Sequence, residues 1–327
     1  MNKKISIVLC SYNEALNLPT VVEAIHHYVD PLGYQLEIVI VNDGSSDNSS
    51  QVISEMRRKD PSIYYIEFSR NFGHQQALRA GIDHATGDCI ISMDADMQHP
   101  PRLLPKFIEK WKEGYNVVYT RRQEDKSLPK FKRLTSSLFY KIINYLSDLK
   151  LEDGCADFRL IDRKVANVIK SVKEDELFVR GFVNWVGFKQ YCMDYIPDKR
   201  LFGSTKYTFK KMLHMATQGI LSFSTKPLRL ALYVGFIISM ISFVVFIPYG
   251  IGSFFFKHTI SGWASLTSIV AFLGGFILFV LGLIGLYIGR IFNQIKGFPS
   301  YVVKNTNMNK TVVHHSREIH THDTIKF

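Results

Sequence analysis

Residues 90–101 read Ile-Ile-Ser-Met-Asp-Ala-Asp-Met-Gln-His-Pro-Pro, an apolar run that ends in two carboxylates one residue apart, Asp94 and Asp96. A strand that delivers such a pair to its carboxyl end sets hard oxygen ligands at the edge of a sheet. A divalent cation held there can bridge to the phosphates of a nucleotide. The same tripeptide also serves as a solvated acidic turn, so the rest of the chain must decide. Two more polar turns close short apolar runs: Ser11-Tyr12-Asn13-Glu14, and Asn42-Asp43-Gly44-Ser45-Ser46-Asp47. A carboxylate at a strand end can accept from base N–H groups or ribose hydroxyls. Asp43 and Asp47 are equally suited to capping the next helix.

Those turns need strands to carry them. Apolar runs at 5–10, 36–41, 63–68, 89–93 and 116–119 predict strands, and helical patterns end near Val29 and cover 49–58 and 75–85. Alternation of this kind predicts an α/β fold, a mostly parallel sheet with helices on both faces. Ligands of such sheets bind outside the carboxyl ends of the strands, where all three turns fall. The chain has no Gly-x-Gly-x-x-Gly and no Gly-x-x-x-x-Gly-Lys-Ser/Thr, so neither dinucleotide nor P-loop chemistry is indicated.

Composition adds a membrane. Residues 230–256 and 259–289 contain no Asp, Glu, Lys or Arg, and each stretch exceeds the ~20 residues a helix needs to cross a bilayer. Two spans are expected, about 230–253 and 264–289. Lys226 and Arg229 precede the first; Arg290, Lys296 and Lys304 follow the second; only Lys257 and His258 lie between. The positive-inside rule then places both termini in the cytoplasm, with Trp263 near the outer interface. The N-terminus has no signal-peptide pattern. Four scattered cysteines fit a reducing compartment and no zinc site. The net charge of +11 suits an anionic membrane surface and a phosphate substrate, without invoking nucleic acid. Segments at about 128–147 and 205–224 mix apolar residues at helical spacing with Lys and Arg, as interfacial amphipathic helices do; core packing is the alternative. The expected division is a catalytic domain over 1–227, spans over 228–292, and a tail over 293–327. From about Asn305 that tail is polar, carries His314, His315, His320 and His322, and is expected to be disordered.

Beyond the three turns, the chain contains Arg70-Asn71-Phe72-Gly73, Ala80-Gly81, Ala85-Thr86-Gly87-Asp88, Asp157-Phe158-Arg159-Leu160 and Gly203-Ser204-Thr205-Lys206-Tyr207. With these motifs in order, residues 5–207 resemble a family 2 glycosyltransferase of GT-A (Rossmann-like) fold. The apolar segments make the chain most similar to the polyprenyl-phosphate glycosyltransferases, which include dolichol-phosphate mannose synthases and bactoprenol glucosyltransferases. The resemblance implies that Tyr12, Asn13 and Glu14 line a nucleotide pocket and that Asp43 contacts base or ribose. It implies that Asp94 approaches the ribose or metal, and that Asp96 and Gln98 hold Mg²⁺ or Mn²⁺ against the diphosphate. His99 stands where relatives often carry Asp, and is read as a support for its neighbours, not a ligand. Asp157 is either a turn residue or, as the resemblance implies, a catalytic carboxylate facing the transferred sugar.

A phosphate acceptor needs cations. Arg122 follows a predicted strand, Arg133 and Ser137 lie four apart on one helical face, and Arg200 and Lys206 flank a glycine-containing loop. The expected reaction is an inverting, metal-dependent transfer of one sugar, glucose favoured, from a nucleotide-sugar (UDP-linked) to undecaprenyl or another polyprenyl phosphate. Mannose, N-acetylhexosamine or a modified pentose stay open, as does a non-catalytic nucleotide-sugar-binding scaffold. A processive synthase would resemble a Gln-x-x-Arg-Trp pattern that this chain lacks. A transporter would need polar groups inside the spans. Relatives further imply a homo-oligomer in the bacterial inner membrane.

Overall fold

A computed structural model describes residues 3–123, 155–174, 177–198, 224–241, 244 and 263–308. The first four apolar runs form β1 (Lys4–Ser11), β2 (Gln35–Asn42), β3 (Ile63–Phe68) and β4 (Cys89–Asp94). Helices α1 (Leu18–Val29), α2 (Ser49–Lys59) and α3 (His74–His84) make the crossovers between them. In α1, Leu18, Val21, Val22, Ile25 and Val29 recur at helical spacing, and all are buried. Next come α4 (Leu104–Lys112), β5 (Val117–Arg122), β6 (Cys155–Asp162), α5 (Arg163–Ser171), α6 (Val179–Trp185) and β7 (Gln190–Tyr195). Then follow α7 (Lys226–Ile241), α8 (Trp263–Lys296) and β8 (Val303–Thr306).

The eight strands form one sheet in the order β7-β5-β6-β4-β1-β2-β3-β8. The sheet is mostly parallel, as expected, with two strands reversed. Strand β6 runs antiparallel to both β4 and β5, and β8 runs antiparallel to β3. The remaining pairings, β1 with β2 and β4, β2 with β3, and β5 with β7, are parallel. Strands β1 to β5 and β7 therefore present their carboxyl ends at one edge, where β6 and β8 begin. Asp157, weighed as a turn residue, sits inside β6.

Fully buried Ile5, Ile7, Leu9, Ile38, Ile40 and Ile91 pack with Phe107 and Phe158 in the core, each such side chain contributing about 1.5–3 kcal/mol. Gly81 lets α3 close on β1, since a Cβ there would overlap the Val8 side chain.

The tail also departs from expectation. Residues 303–306 add an edge strand beside β3, and Asn307 Oδ1 accepts from the Tyr65 N–H at 2.7 Å. Backbone pairing needs no apolar side chains, which is why a polar stretch with the sequence Val-Lys-Asn-Thr serves there. The His-containing residues lie outside the described residues.

Among the described residues, the sheet, its helices and the segment from Gly297 make one compact unit, and α7 and α8 belong to a second. Within that second unit the Tyr287 hydroxyl donates to the Ser224 carbonyl at 2.8 Å. Helix α8 has 34 residues, about 51 Å at ~1.5 Å per residue. Its Phe272–Lys296 portion is long and apolar enough to cross a membrane. It is the single such helix among the described residues. The second expected span, 264–289, thus falls inside a helix that begins at Trp263 and continues past Arg290. For the first, 230–253, helix is described to Ile241, while residues 242–243 and 245–253 lie outside the described residues. The amphipathic segments at 128–147 and 205–224 also lie outside, apart from Ser224.

Candidate active site

The carboxyl edge has three acidic corners, two built by turns and one by the first residues of β6. At the first, Gly44 adopts φ +63°, and a Cβ on it would overlap the Arg70 carbonyl carbon. That approach brings residues 71–73 over Asp43. The Asp43 carboxylate accepts from Asn71 Nδ2 at 2.9 Å, the Phe72 N–H at 2.7 Å and the Gly73 N–H at 3.0 Å. Burial lifts the Asp43 pKa above the usual Asp value; the Phe72 and Gly73 amides oppose this without cancelling it.

Asn13, also left-handed at φ 55°, ties the β1 turn to the β2 turn. Its N–H donates to Ser45 Oγ at 2.9 Å, and its Oδ1 accepts from the Ser46 N–H at 2.8 Å. Glu14 accepts from Asn17 Nδ2, and Asp47 accepts from the Ser49 N–H and hydroxyl, fixing the start of α2. Asn13 and Asp47 thus tie the β1 turn to the start of α2, and Tyr12 stands exposed beside them.

At the second corner β4 delivers Asp94, and its turn carries Asp96, Met97 and Gln98. Met97 adopts φ 63°, a conformation that costs a β-carbon residue about 1 kcal/mol or more. The Gln98 N–H donates to Asp96 Oδ1 at 3.0 Å. His99 is buried, stacks on Phe158 with centroids 5.0 Å apart, and accepts the Asp94 N–H through Nδ1 at 2.9 Å. It therefore supports the turn from beneath, as the sequence suggested.

Asp157 makes the third corner from β6. Arg180 of α6 donates to both its oxygens at 2.8 and 3.2 Å, and Arg159 reaches Oδ1 at 3.2 Å. Gln75 donates at 3.3 Å, and His74 Nε2 lies 3.4 Å away. His74 also approaches Asp94 at 3.7 Å through Nδ1, so one imidazole bridges two corners. Burial opposes charge on His74, but Asp94 and Asp157 outweigh it and raise its pKa to about 9. Burial likewise works to lift Asp157, but Arg180, His74 and Arg159 hold its carboxyl well below the usual range. The buried Cys10 thiol, paired with Asp94 in the β1–β4 register, is pushed well up by burial and then by Asp94, Asp157 and Asp43. The three corners thus share one electrostatic neighbourhood.

Of the expected acceptor residues, Arg122 is described. It is exposed at the end of β5, opposite Tyr195 of β7. Burial pushes the Tyr195 hydroxyl up to about 12, with Arg122 opposing and Asp94 and Asp96 adding. Because β5 ends at the same edge of the sheet as β4, Arg122 stands at that edge. Neighbouring Arg121 is held by Asp194 at 2.7 Å. Arg133, Ser137, Arg200 and Lys206 lie outside the described residues.

His74 and Arg180 were missed from the sequence. His74 opens α3 immediately after the Arg70–Gly73 motif, a helix start beyond the carboxyl end of β3 that could have flagged it. Arg180 sits in a segment with no clear periodicity and carried no signal. The donor set suits a hard divalent cation, because Asp94 and Asp96 are carboxylates separated by a single residue at a strand end. No cluster of three His, Cys, Asp or Glu side chains able to hold a metal occurs among the described residues. The protein would supply a partial shell, leaving positions for phosphate oxygens and water.

Comparison with known proteins agrees with this frame. The family model for glycosyl transferase family 2 matches residues 6–169. An uncharacterized glycosyltransferase of Bacillus subtilis (strain 168), YkcC, is 44% identical over 92% of this chain and 93% of its own. A prophage bactoprenol glucosyl transferase homolog of Escherichia coli (strain K12) is 37% identical over 92% of this chain and 98% of its own. The bactoprenol glucosyl transferase of Shigella phage SfV is 37% identical, with the same two shares. With a GT-A-like mixed sheet, three acidic turns at its carboxyl edge and relatives aligned over nearly the whole length, the chain belongs to glycosyl transferase family 2 and is a glycosyltransferase.

Proposed function

We propose that the protein transfers a single sugar, glucose in the favoured case, from a UDP-linked donor to a polyprenyl phosphate with inversion at the anomeric carbon. The observation that carries this reading is the placement of Asp43, Asp94, Asp96 and Asp157 along one sheet edge, with His74 between Asp94 and Asp157 and Arg122 at the end of β5. The printed names of the 37% identical relatives support a polyprenyl (bactoprenol) acceptor and glucose. The apolar helix Phe272–Lys296 supports residence in a membrane, and in this reading the cations flanking the apolar segments keep both termini in the cytoplasm.

In this reading the nucleotide lies along the wall formed by Tyr12, Asn13, Glu14 and the Asp43 turn, and its diphosphate faces Asp94, Asp96 and Gln98. Bound Mg²⁺ or Mn²⁺ would offset the charge that develops on the departing diphosphate. A phosphate-monoester oxygen of the acceptor attacks the anomeric carbon from the face opposite the nucleotide. The C–O bond to the diphosphate breaks, so an α-linked donor gives a β-linked product.

The acceptor needs no strong base, since its second ionisation lies near ~6 and it is largely a dianion at neutral pH. Asp157 agrees with this, because a carboxylate held ionised by two arginines and a histidine is a poor proton acceptor. Its role is to fix His74 and Arg180 around the sugar and to lend negative charge to an oxocarbenium-like transition state. Arg122 holds the acceptor phosphate, with Arg133, Ser137, Arg200 and Lys206 as its proposed partners.

The test uses the full chain in vesicles with UDP-glucose, Mn²⁺ and undecaprenyl phosphate, followed by mass detection of the lipid. A hexosylated lipid phosphate that disappears in Asp96→Ala is expected. No glycolipid from any nucleotide-sugar tried, or equal yield from Asp96→Ala, would refute the proposal.

A further inference from the structure

The segment that follows α8 grips the sheet at a place that matters for the acidic edge. Strand β8 pairs with β3 through Ile66 and Thr306, Glu67 and Asn305, and Phe68 and Val303. Just before it, the Val302 carbonyl accepts the Ser69 N–H at 3.0 Å. Ser69 begins the loop whose Asn71, Phe72 and Gly73 hold Asp43 and whose end is His74.

Tyr301 reaches both sides of that loop. Its ring stacks on Phe68, the last residue of β3, with centroids 5.1 Å apart and planes 17° from parallel. Phe68 in turn meets Phe72 edge-on at 5.7 Å. The Tyr301 hydroxyl donates to Asp83 Oδ2 at 3.4 Å. Asp83 belongs to α3, the helix that His74 opens, and is fixed by both 3.0 Å bonds from Arg79 Nε. The loop is therefore anchored at its entry by Phe68 and at its exit by α3, and one side chain touches both anchors.

We infer that Tyr301 is a positioning residue for the donor site, the strap after the membrane helix clamping residues 69–74 so that the Phe72 and Gly73 amides hold Asp43 in place. The part concerning the donor rests on the proposed nucleotide pocket. The clamp itself rests on the contacts above.

Two readouts on the full chain in nanodiscs separate these parts: amide hydrogen exchange of residues 70–74 in the ligand-free protein, and steady-state kinetics with UDP-glucose and undecaprenyl phosphate. In Tyr301→Ala the Phe72 and Gly73 amides should exchange about tenfold faster, as expected for losing roughly one net contact, while β1 amides stay protected. The donor KM should rise by about the same factor, with acceptor KM and kcat at saturating donor unchanged. Tyr301→Phe keeps the ring stack and should restore most of the protection. Thr306→Val removes the 2.7 Å bond to the Tyr65 carbonyl but leaves Tyr301, and should alter neither readout. Should the alanine variant unfold, Tyr301→Leu fills the space without stacking and takes the same measurements. Unchanged exchange at Phe72 and Gly73 would overturn the inference. Faster exchange with an unchanged donor KM would keep the clamp and refute the donor pocket at Asp43.

Discussion

Asp43 and Asp157 occupy the same edge of the same sheet, both buried, yet their surroundings push them in opposite directions. Asp43 is held by an amide side chain and two backbone N–H groups, all neutral, and burial still lifts its pKa. Asp157 is held by two guanidinium groups and a histidine, and charge attraction overwhelms the same burial. Neutral donors define the shape of a corner; cations define its charge. The Asp43 corner therefore suits recognition of neutral N–H and hydroxyl groups. The Asp157 corner suits a site where positive charge develops beside a fixed anion. In the proposed reaction, one edge would bind a nucleotide at one end and stabilise sugar transfer at the other because its two carboxylates are kept so differently.

The largest test of that contrast is Asp157→Asn. Removing the anion strands Arg159 and Arg180 without their shared partner, at a cost of about 3–5 kcal/mol. Denaturant unfolding should show the loss, and turnover should fall even where the protein stays folded. Asp43→Asn replaces one hydrogen-bonded corner by an amide that presents N–H toward N–H, a cost of about 2–3 kcal/mol. Its kinetic signature should differ in kind, a raised donor KM with a smaller change in kcat. Gly44→Ala acts on the same corner indirectly, forcing a side chain into a left-handed position against Arg70. About 1–2 kcal/mol is expected, read as a lower melting temperature, and Gly33→Ala, left-handed but in open space, serves as its comparison.

The pattern of what sequence made legible has a physical cause. Strands β1 to β4 are nearly continuous apolar runs because each is covered on both faces, and their polar turns stand out by contrast. Asp94, Asp96 and Asp43 were legible because each follows such a run. Strand β6 was not, since Asp157 and Arg159 interrupt it with charges that neutralise each other only in space. Strand β8 was hidden for the opposite reason: as an exposed edge strand it has no apolar face to betray it. His74 and Arg180 gain their meaning from Asp157, which lies 83 residues after one and 23 before the other, and no local pattern encodes such a meeting.

The smallest expected effect is the most specific to the comparison. A carboxyl whose folded pKa is lowered adds stability above its unfolded value, near ~3.8, and loses it as pH falls through the folded value. A carboxyl whose folded pKa is raised adds stability below that unfolded value and loses it as pH rises through the folded one. Relative to the parent, Asp157→Asn should therefore flatten the acid side of the stability curve, and Asp43→Asn should flatten the decline just above ~3.8. Unfolding free energies measured across that range for both variants check the opposite signs. Parallel curves would mean the two corners are electrostatically alike.

The central claim, that these carboxylates together hold a metal-bound nucleotide diphosphate, is tested most directly by anomalous diffraction from crystals of the full chain with Mn²⁺ and UDP. The account predicts a manganese peak in ligand contact with Asp94 or Asp96 and with the diphosphate, and the uracil or ribose beside Asp43. A peak held by other residues, or nucleotide bound away from this edge, would contradict it.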